Sequence, residues 1–199
     1  MSSAHGARRG PYAKSVQVRR GILDAARQSF AETGYRATTM KAVAERAGIS
    51  QRGLVHHFPS KEDLLAGVLA DNDARIGATL PRESGVKALR LLVDVTAADM
   101  AEPGIVELYA ILSAEAAAPL HPAHEYYRNR YATFRAYVEQ QFETALKERR
   151  ASNGLDAGTL ALLFTGLLDG LQSQWLYDRD VKIRPALHAF LDASIGPRL

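Results

Sequence analysis

The sequence predicts an all-α protein: a small basic helical unit at the N-terminus and a larger helical remainder. Three observations predict it. Apolar residues recur at helical spacing in almost every segment after the first fourteen residues, and no stretch alternates apolar with polar residues as a half-buried strand does. Glycine and proline pairs divide those segments at intervals suited to helices. The composition, 199 residues with 47% apolar and 24% charged, is ordinary for a globular chain able to bury a core.

The elements follow in order. Val18, Ile22, Ala26 and Phe30 form one helical stripe that ends at Gly34, a residue suited to a left-handed cap. Thr39 is placed to cap a short helix from Met40 to Ala47 with Val43 and Ala47 inward; Gly48 stops it, and Ser50 caps another from Gln51 to about His57. Ser60 with Asp63 three positions on reads as a capping box for a helix whose buried stripe is Leu65, Val68, Leu69 and Ile76. A turn-rich loop, Thr79 to Gly85, precedes three further stripes: Val86, Leu89, Val93 and Met100; Ile105, Tyr109, Leu112 and Ala116; then Tyr127, Tyr131, Phe134, Val138, Phe142 and Ala145. Pro103-Gly104 and the stretch Pro119 to Pro122 separate them. Asn153-Gly154 closes the third, Asp156 caps the next helix, which runs to about Tyr177, and Pro185 suits the first turn of a last helix carrying Leu187, Leu191 and Ile195.

Charge is unevenly placed. Residues 1–61 hold 11 Lys/Arg against 3 Asp/Glu, whereas residues 62–199 hold 14 against 19, so a basic end suited to a polyanion is joined to an acidic remainder. The absence of cysteine excludes disulfides, thiol nucleophiles and Cys-based zinc sites. No apolar run approaches the ~20 residues of a membrane span, and a cytoplasmic protein with no membrane partner is expected. Neither a nucleophile elbow, a glycine-rich dinucleotide fingerprint, a phosphate-loop lysine nor a His-Glu-x-x-His motif occurs, so no catalytic residue, cofactor or metal is assigned. His121 and His124 followed by Glu125 have a spacing compatible with two metal ligands, but Pro122 interrupts it; Asp71 and Asp73 read as a solvated face.

The informative stretch is Thr38 to Lys61, TTMKAVAERAGISQRGLVHHFPSK. Two short helices are joined by a turn of about three residues, with Gly48 supplying positive φ and Ala44 the small side chain where the helices cross. Ile49 and Leu54 anchor the turn and second helix; this is the spacing of a DNA-binding helix-turn-helix.

From about Ser15 to Leu69 the chain resembles the DNA-binding domain of the tetracycline-repressor (TetR) family of transcription regulators, on the patterns ILDAARQSFAETGY, TTMKAVAERAGIS and HFPSKEDLL with Phe58, Lys61 and Leu64 in place. The resemblance implies a dimeric all-helical fold of about nine helices, three in the DNA-binding domain, and a larger domain for dimerisation and ligand sensing. It implies a disordered basic tail over 1–14, a DNA-binding domain over 15–60, and a sensing and dimerisation domain over 61–199. Thr39, Lys41, His57 and Lys61 match positions that contact the DNA backbone in the family. Two positions depart from the pattern: Arg52 stands where a glycine is usual, and Val55 where a tyrosine commonly reaches the DNA. Arg52 suits the O6 and N7 of guanine, Gln51 suits adenine, and Val55 suits a thymine methyl; Ser50 and Gly53 complete the expected contact set. Arg8, Arg9, Lys14, Arg19 and Arg20 add salt-sensitive attraction.

Beyond Leu69 nothing specific carries over. Met100, Tyr109, Leu112, Tyr131, Phe134 and Trp175 supply bulky side chains for an internal pocket for a small apolar or aromatic effector, with Tyr109, Tyr131 and Glu115 orienting its polar group. Between Leu160 and Tyr177 the large residues fall on one helical face and Gly166, Gly170 and Ser173 on the other, with Asp169 the only charge. Two glycines inside a helix suggest a close approach, so a homodimer contact is expected through Leu162, Gly166, Gly170 and Ser173, joined by Leu187 and Leu191 of the last helix. The expected function is a repressor released from a pseudo-palindromic double-stranded DNA operator by its effector. The alternatives are an architectural DNA-binding protein without an effector, which a fully packed C-terminal core would favour, and a small helical enzyme.

Overall fold

The structure, a computed structural model, describes residues 11–79, 81–99, 103–149 and 154–196. Met100, Arg8 and Arg9, all assigned roles above, lie outside those residues. The described residues form nine helices: α1 (Pro11–Ala37), α2 (Met40–Arg46), α3 (Gln51–His57), α4 (Lys61–Thr79), α5 (Gly85–Asp99), α6 (Pro103–Ala116), α7 (His124–Arg149), α8 (Ala157–Tyr177) and α9 (Ile183–Ile195). The first begins at Pro11, inside the stretch expected to be tail.

Local chemistry sets most of the boundaries. Thr39 Oγ1 accepts from the Ala42 N–H, Ser50 Oγ from the Gly53 N–H, and Asp156 from the Thr159 N–H, each satisfying a donor that the first helical turn leaves open. Ser60 and Asp63 form the reciprocal box: the Asp63 N–H donates to Ser60 Oγ (3.0 Å) and the Ser60 N–H to Asp63 Oδ2 (3.1 Å). Gly48 turns the chain between α2 and α3 at φ +67°, a value costly for any residue with a Cβ. At Gly34 the α1 backbone leaves helical geometry altogether, with φ 77° and ψ 165°.

Two apolar clusters hold these helices. In the first, Ile22 and Phe30 of α1 meet Val43, Leu54, Leu64 and Val68 of α2 to α4, and the cluster continues into Leu108 and Leu112 of α6 and Tyr127 of α7. It therefore runs through the first half of α4, past residue 60. In the second, Leu89 and Val93 of α5 pack with Val138 and Phe142 of α7, Leu160 and Phe164 of α8, and Leu187 and Leu191 of α9. Each fully buried Leu or Phe contributes roughly 1.5–3 kcal/mol by leaving water. Leu187 and Leu191 are fully buried there, which corrects their assignment to the dimer contact: with Ile183 and Ile195 they form the one stripe of α9 that faces its own subunit.

Candidate DNA interface and internal cavity

α2 and α3 are held from below and bare above. Ala44 (2% exposed) and Leu54 (0%) are buried at the crossing, so the outward residues of both helices are fixed in register. Thr39, Lys41, Ser50, Gln51, Arg52 and Val55 are exposed, and Gly53 and His57 half-buried, so the structure brings eight of the nine expected contact residues to one short motif. Arg52 makes no ion pair among the described residues, and Lys41 makes only a long, exposed one with Glu45 (3.8 Å). Arg19 lies over the Phe58 ring, its guanidinium carbon 4.6 Å from the centroid, tying α1 to the end of α3. The adjacent His56 and His57 rings stand edge to face at 5.5 Å.

Lys61 is used differently from the expectation. Its ammonium donates to the carbonyls of Tyr35 (2.9 Å), Thr38 (3.0 Å) and Arg36 (3.3 Å), and sits 4.4 Å from the centroid of the Tyr35 ring. An ammonium has three protons, and these three carbonyls take them. Lys61 thus closes the end of α1 on the start of α4 rather than presenting a free charge to a phosphate.

The same junction claims Glu115, expected on the effector. Glu115 Oε2 accepts the Tyr35 N–H at 2.8 Å, the bond through which α6 holds the end of α1. The Tyr35 hydroxyl donates to Glu62 Oε1 (3.1 Å), and burial, then this bond, push the phenol up to about 12. Buried His121 stacks edge-on against Tyr35 at 5.0 Å, its Nδ1 accepting the Ala123 N–H (3.1 Å), while His124 Nδ1 lies 2.8 Å from the Ala116 carbonyl oxygen. The two histidines are thus directed to separate backbone partners, and no group of three or more metal-ligating side chains occurs among the described residues.

Burial holds His121 below the ordinary histidine value, with Arg36 and Lys61 acting the same way and Glu115 opposing. A histidine whose folded value is depressed binds its proton more readily in the unfolded chain, so stability should fall as pH drops below about 6.5. His121→Asn, which keeps an acceptor for the Ala123 N–H, is expected to flatten the acid limb of thermal midpoint against pH between about 5 and 7. An unchanged slope would place that proton uptake elsewhere.

Behind the junction lies a cavity of about 570 Å³. Tyr109 and Ser113 of α6, Tyr127, Tyr131, Phe134 and Tyr137 of α7, and Thr165, Leu168, Asp169, Gln172 and Ser173 of α8 are among its walls. Three of the expected pocket residues, Tyr109, Tyr131 and Phe134, therefore line it. The others do not. Leu112 is buried on the opposite face of α6 with Leu108 and Ala116, packed toward α1, and Trp175 lies outside the cavity beneath the Arg179 guanidinium (3.9 Å to the ring centroid). Ser173, assigned to the dimer contact, is on the cavity wall.

Sequence reading also missed Arg130 and Asp73: Arg130 stacks over Tyr109 (4.7 Å) and pairs with Asp73 (3.5 Å), which accepts from the Tyr126 hydroxyl at 2.6 Å. Asp71 pairs with Arg27 at 2.7 Å, so neither aspartate is merely solvated. The Leu160–Tyr177 pattern did contain one signal, its lone charge, Asp169.

On the outer side of α8, Leu162 (57%) and Leu163 (46%) are exposed beside Gly166, and a Cβ at Gly166 or Gly170 would meet nothing within 4 Å in the subunit. No described helix is long and apolar enough to cross a membrane.

Residues 22–68 match the family model described as bacterial regulatory proteins, tetR family. The HTH-type transcriptional repressor AcnR of Corynebacterium efficiens is 33% identical over 81 residues, 41% of this chain and 43% of the relative, so the match spans less than half the length of that protein. Salmonella enterica GusR superposes with a TM-score of 0.71 at 27% identity, covering 90% of this chain and 96% of that one. A regulator from Saccharomonospora viridis, solved with choline and described as a putative transcriptional regulator, superposes at 0.75 with 23% identity over 92% and 100% of the two chains. α2 and α3, built as a helix-turn-helix, lie inside the residues that match the tetR-family model, and nearly the whole helical order is similar to that of GusR.

Proposed function

We propose that the chain is an effector-responsive transcription regulator of the cytoplasm, a homodimer whose two α2–α3 heads grip the half-sites of a pseudo-palindromic operator and whose repression a small molecule relieves. The observation that carries this reading is the double use of α6: Tyr109 and Ser113 line the cavity, and Glu115, two residues on, holds the Tyr35 backbone of α1. A ligand pressing on that wall acts on the helix that positions the reading head. A cavity of this size supports effector binding over a purely architectural role. Repression is supported by the name of the Corynebacterium efficiens relative, and ligand binding by the choline held in the Saccharomonospora viridis structure.

In this reading Gln51, Arg52 and Val55 meet base edges, while Thr39, Lys41, Ser50, Gly53 and His57 meet the backbone or support the motif. The head in this reading comprises α1 to α3 with the start of α4, and the remainder senses and dimerises without a catalytic step. The dimer face is α8 through Leu162, Gly166 and Gly170, flanked by exposed Pro185, Ala189 and Ala193 of α9.

Genomic fragments selected on the purified protein provide the operator for the test. Arg52→Ala should weaken binding to it by about 1–3 kcal/mol and relax preference at one base pair per half-site. Full retention of sequence preference would remove Arg52 from base reading. Compounds that release the operator should be bound less tightly in its presence, by the same factor.

A further inference from the structure

Among the described residues, Asp169 is a carboxylate on the cavity wall with no cation within reach of an ion pair. The phenol of Tyr131 is its polar neighbour on the wall and favours the charged carboxylate. Arg130, a cation on the same wall, is already occupied by Asp73 and by the face of Tyr109. Removing a charge from water is costly, and burial raises the Asp169 carboxyl above its ordinary value although Tyr131 and the more distant charge of Arg130 act against it. The rings of Tyr131, Phe134 and Tyr137, whose negative faces attract cations, line the same cavity. Tyr127, only 5% exposed, lines the cavity with its hydroxyl buried and lacking a hydrogen-bond partner, and the Tyr137 hydroxyl is in the same position.

Asp169, Thr165, Leu168, Gln172 and Ser173 fall at the spacing of one helical stripe, so α8 turns a single acidic stripe to the cavity while its outer face carries no charge. We propose that this cavity takes a lipophilic cation: an organic ammonium whose charged centre pairs with Asp169 inside the aromatic walls and whose apolar body fills the remaining volume. The inference deepens, and rests on, the reading of this cavity as the effector site. A neutral or anionic compound of the same shape leaves Asp169 uncompensated, so charge should decide among ligands that fit equally well.

The test uses the full-length protein and three matched probes in calorimetric titration: naphthylmethyl-trimethylammonium, its neutral carbon isostere neopentylnaphthalene, and the anion naphthylacetate. The wild type should bind the ammonium at least about tenfold more tightly than the isostere, a difference of about 1.4 kcal/mol, and bind the anion most weakly. Asp169→Asn should erase the preference, weakening the ammonium and easing binding of the isostere, which no longer buries an uncompensated charge. Gln172→Glu, on the same stripe, should increase the preference and decides the matter if the first variant does not fold. Equal binding of cation and isostere, tighter binding of the anion, or no binding of the cation would each overturn the proposal. Release of operator duplex is read separately. Asp169-dependent cation binding without release would leave this proposal standing and remove the effector reading, whereas release by the isostere or the anion alone would do the reverse.

Discussion

Gly34→Ala is expected to lower the thermal midpoint by roughly 5–10 °C and to loosen the joint between the reading head and α6. Two costs combine. At φ 77° and ψ 165° the backbone occupies a region open essentially to glycine, and holding an alanine there costs about 1–3 kcal/mol. The added Cβ would also stand 2.6 Å from Glu115 Oε1, well inside van der Waals contact. Glu115 must then move, and the bond it accepts from the Tyr35 N–H is stretched or lost, for about another 1 kcal/mol. The two costs separate in a double-mutant cycle. Once Glu115→Ala has removed the carboxylate, Gly34→Ala should cost only its backbone share, so the pair should lose less than the sum of the single changes. A Gly34→Ala protein that melted with the wild type would mean that the α1–α6 joint does not depend on this backbone geometry.

What the sequence revealed and what it hid divide along the range of the interactions. The caps at Thr39, Ser50, Asp156 and the Ser60–Asp63 pair were legible because each is closed within three residues of chain. The helix-turn-helix was legible for the same reason, since Ala44, Gly48 and Leu54 meet one another's demands inside one turn. Lys61 was not, because the carbonyls it binds lie at and just past the end of α1, 23 to 26 residues earlier, and a lysine at a helix start reads equally well as a free charge. α6 shows a second kind of failure. Both of its faces are apolar, one packed on α1 through Leu108 and Leu112 and the other turned to the cavity through Tyr109 and Ser113, so periodicity marked the helix without saying which face met what. α9 shows the same ambiguity resolved: its large residues take the core, leaving small ones, Ala189 and Ala193, outside. A stripe of large residues identifies a core face in each case, and a partner surface is better sought among the small residues opposite.

That distinction makes Gly166→Leu the sharpest test of assembly. In the isolated subunit the substitution has room, since a Cβ at Gly166 meets nothing within 4 Å and the position is exposed. Leucine also favours the helix over glycine, by roughly 0.5–1 kcal/mol, so the subunit itself should be slightly stabilised. At a close helix–helix contact between two copies, the same side chain would hold the partner backbone away, and the exposed Leu162 and Leu163 beside it would lose their cover. Opposite signs are therefore expected: a monomer in sedimentation at micromolar concentration with unreduced local helix stability, against a wild-type dimer. Operator affinity should fall roughly 10²–10⁴-fold, because a monomer engages one half-site and loses the effective concentration that tethers the second head. Gly170→Leu, one turn further along the same side of α8, should act in the same direction. A wild-type protein that sediments as a monomer, or a Gly166→Leu protein that remains a dimer with full operator affinity, would move the subunit contact off this face of α8.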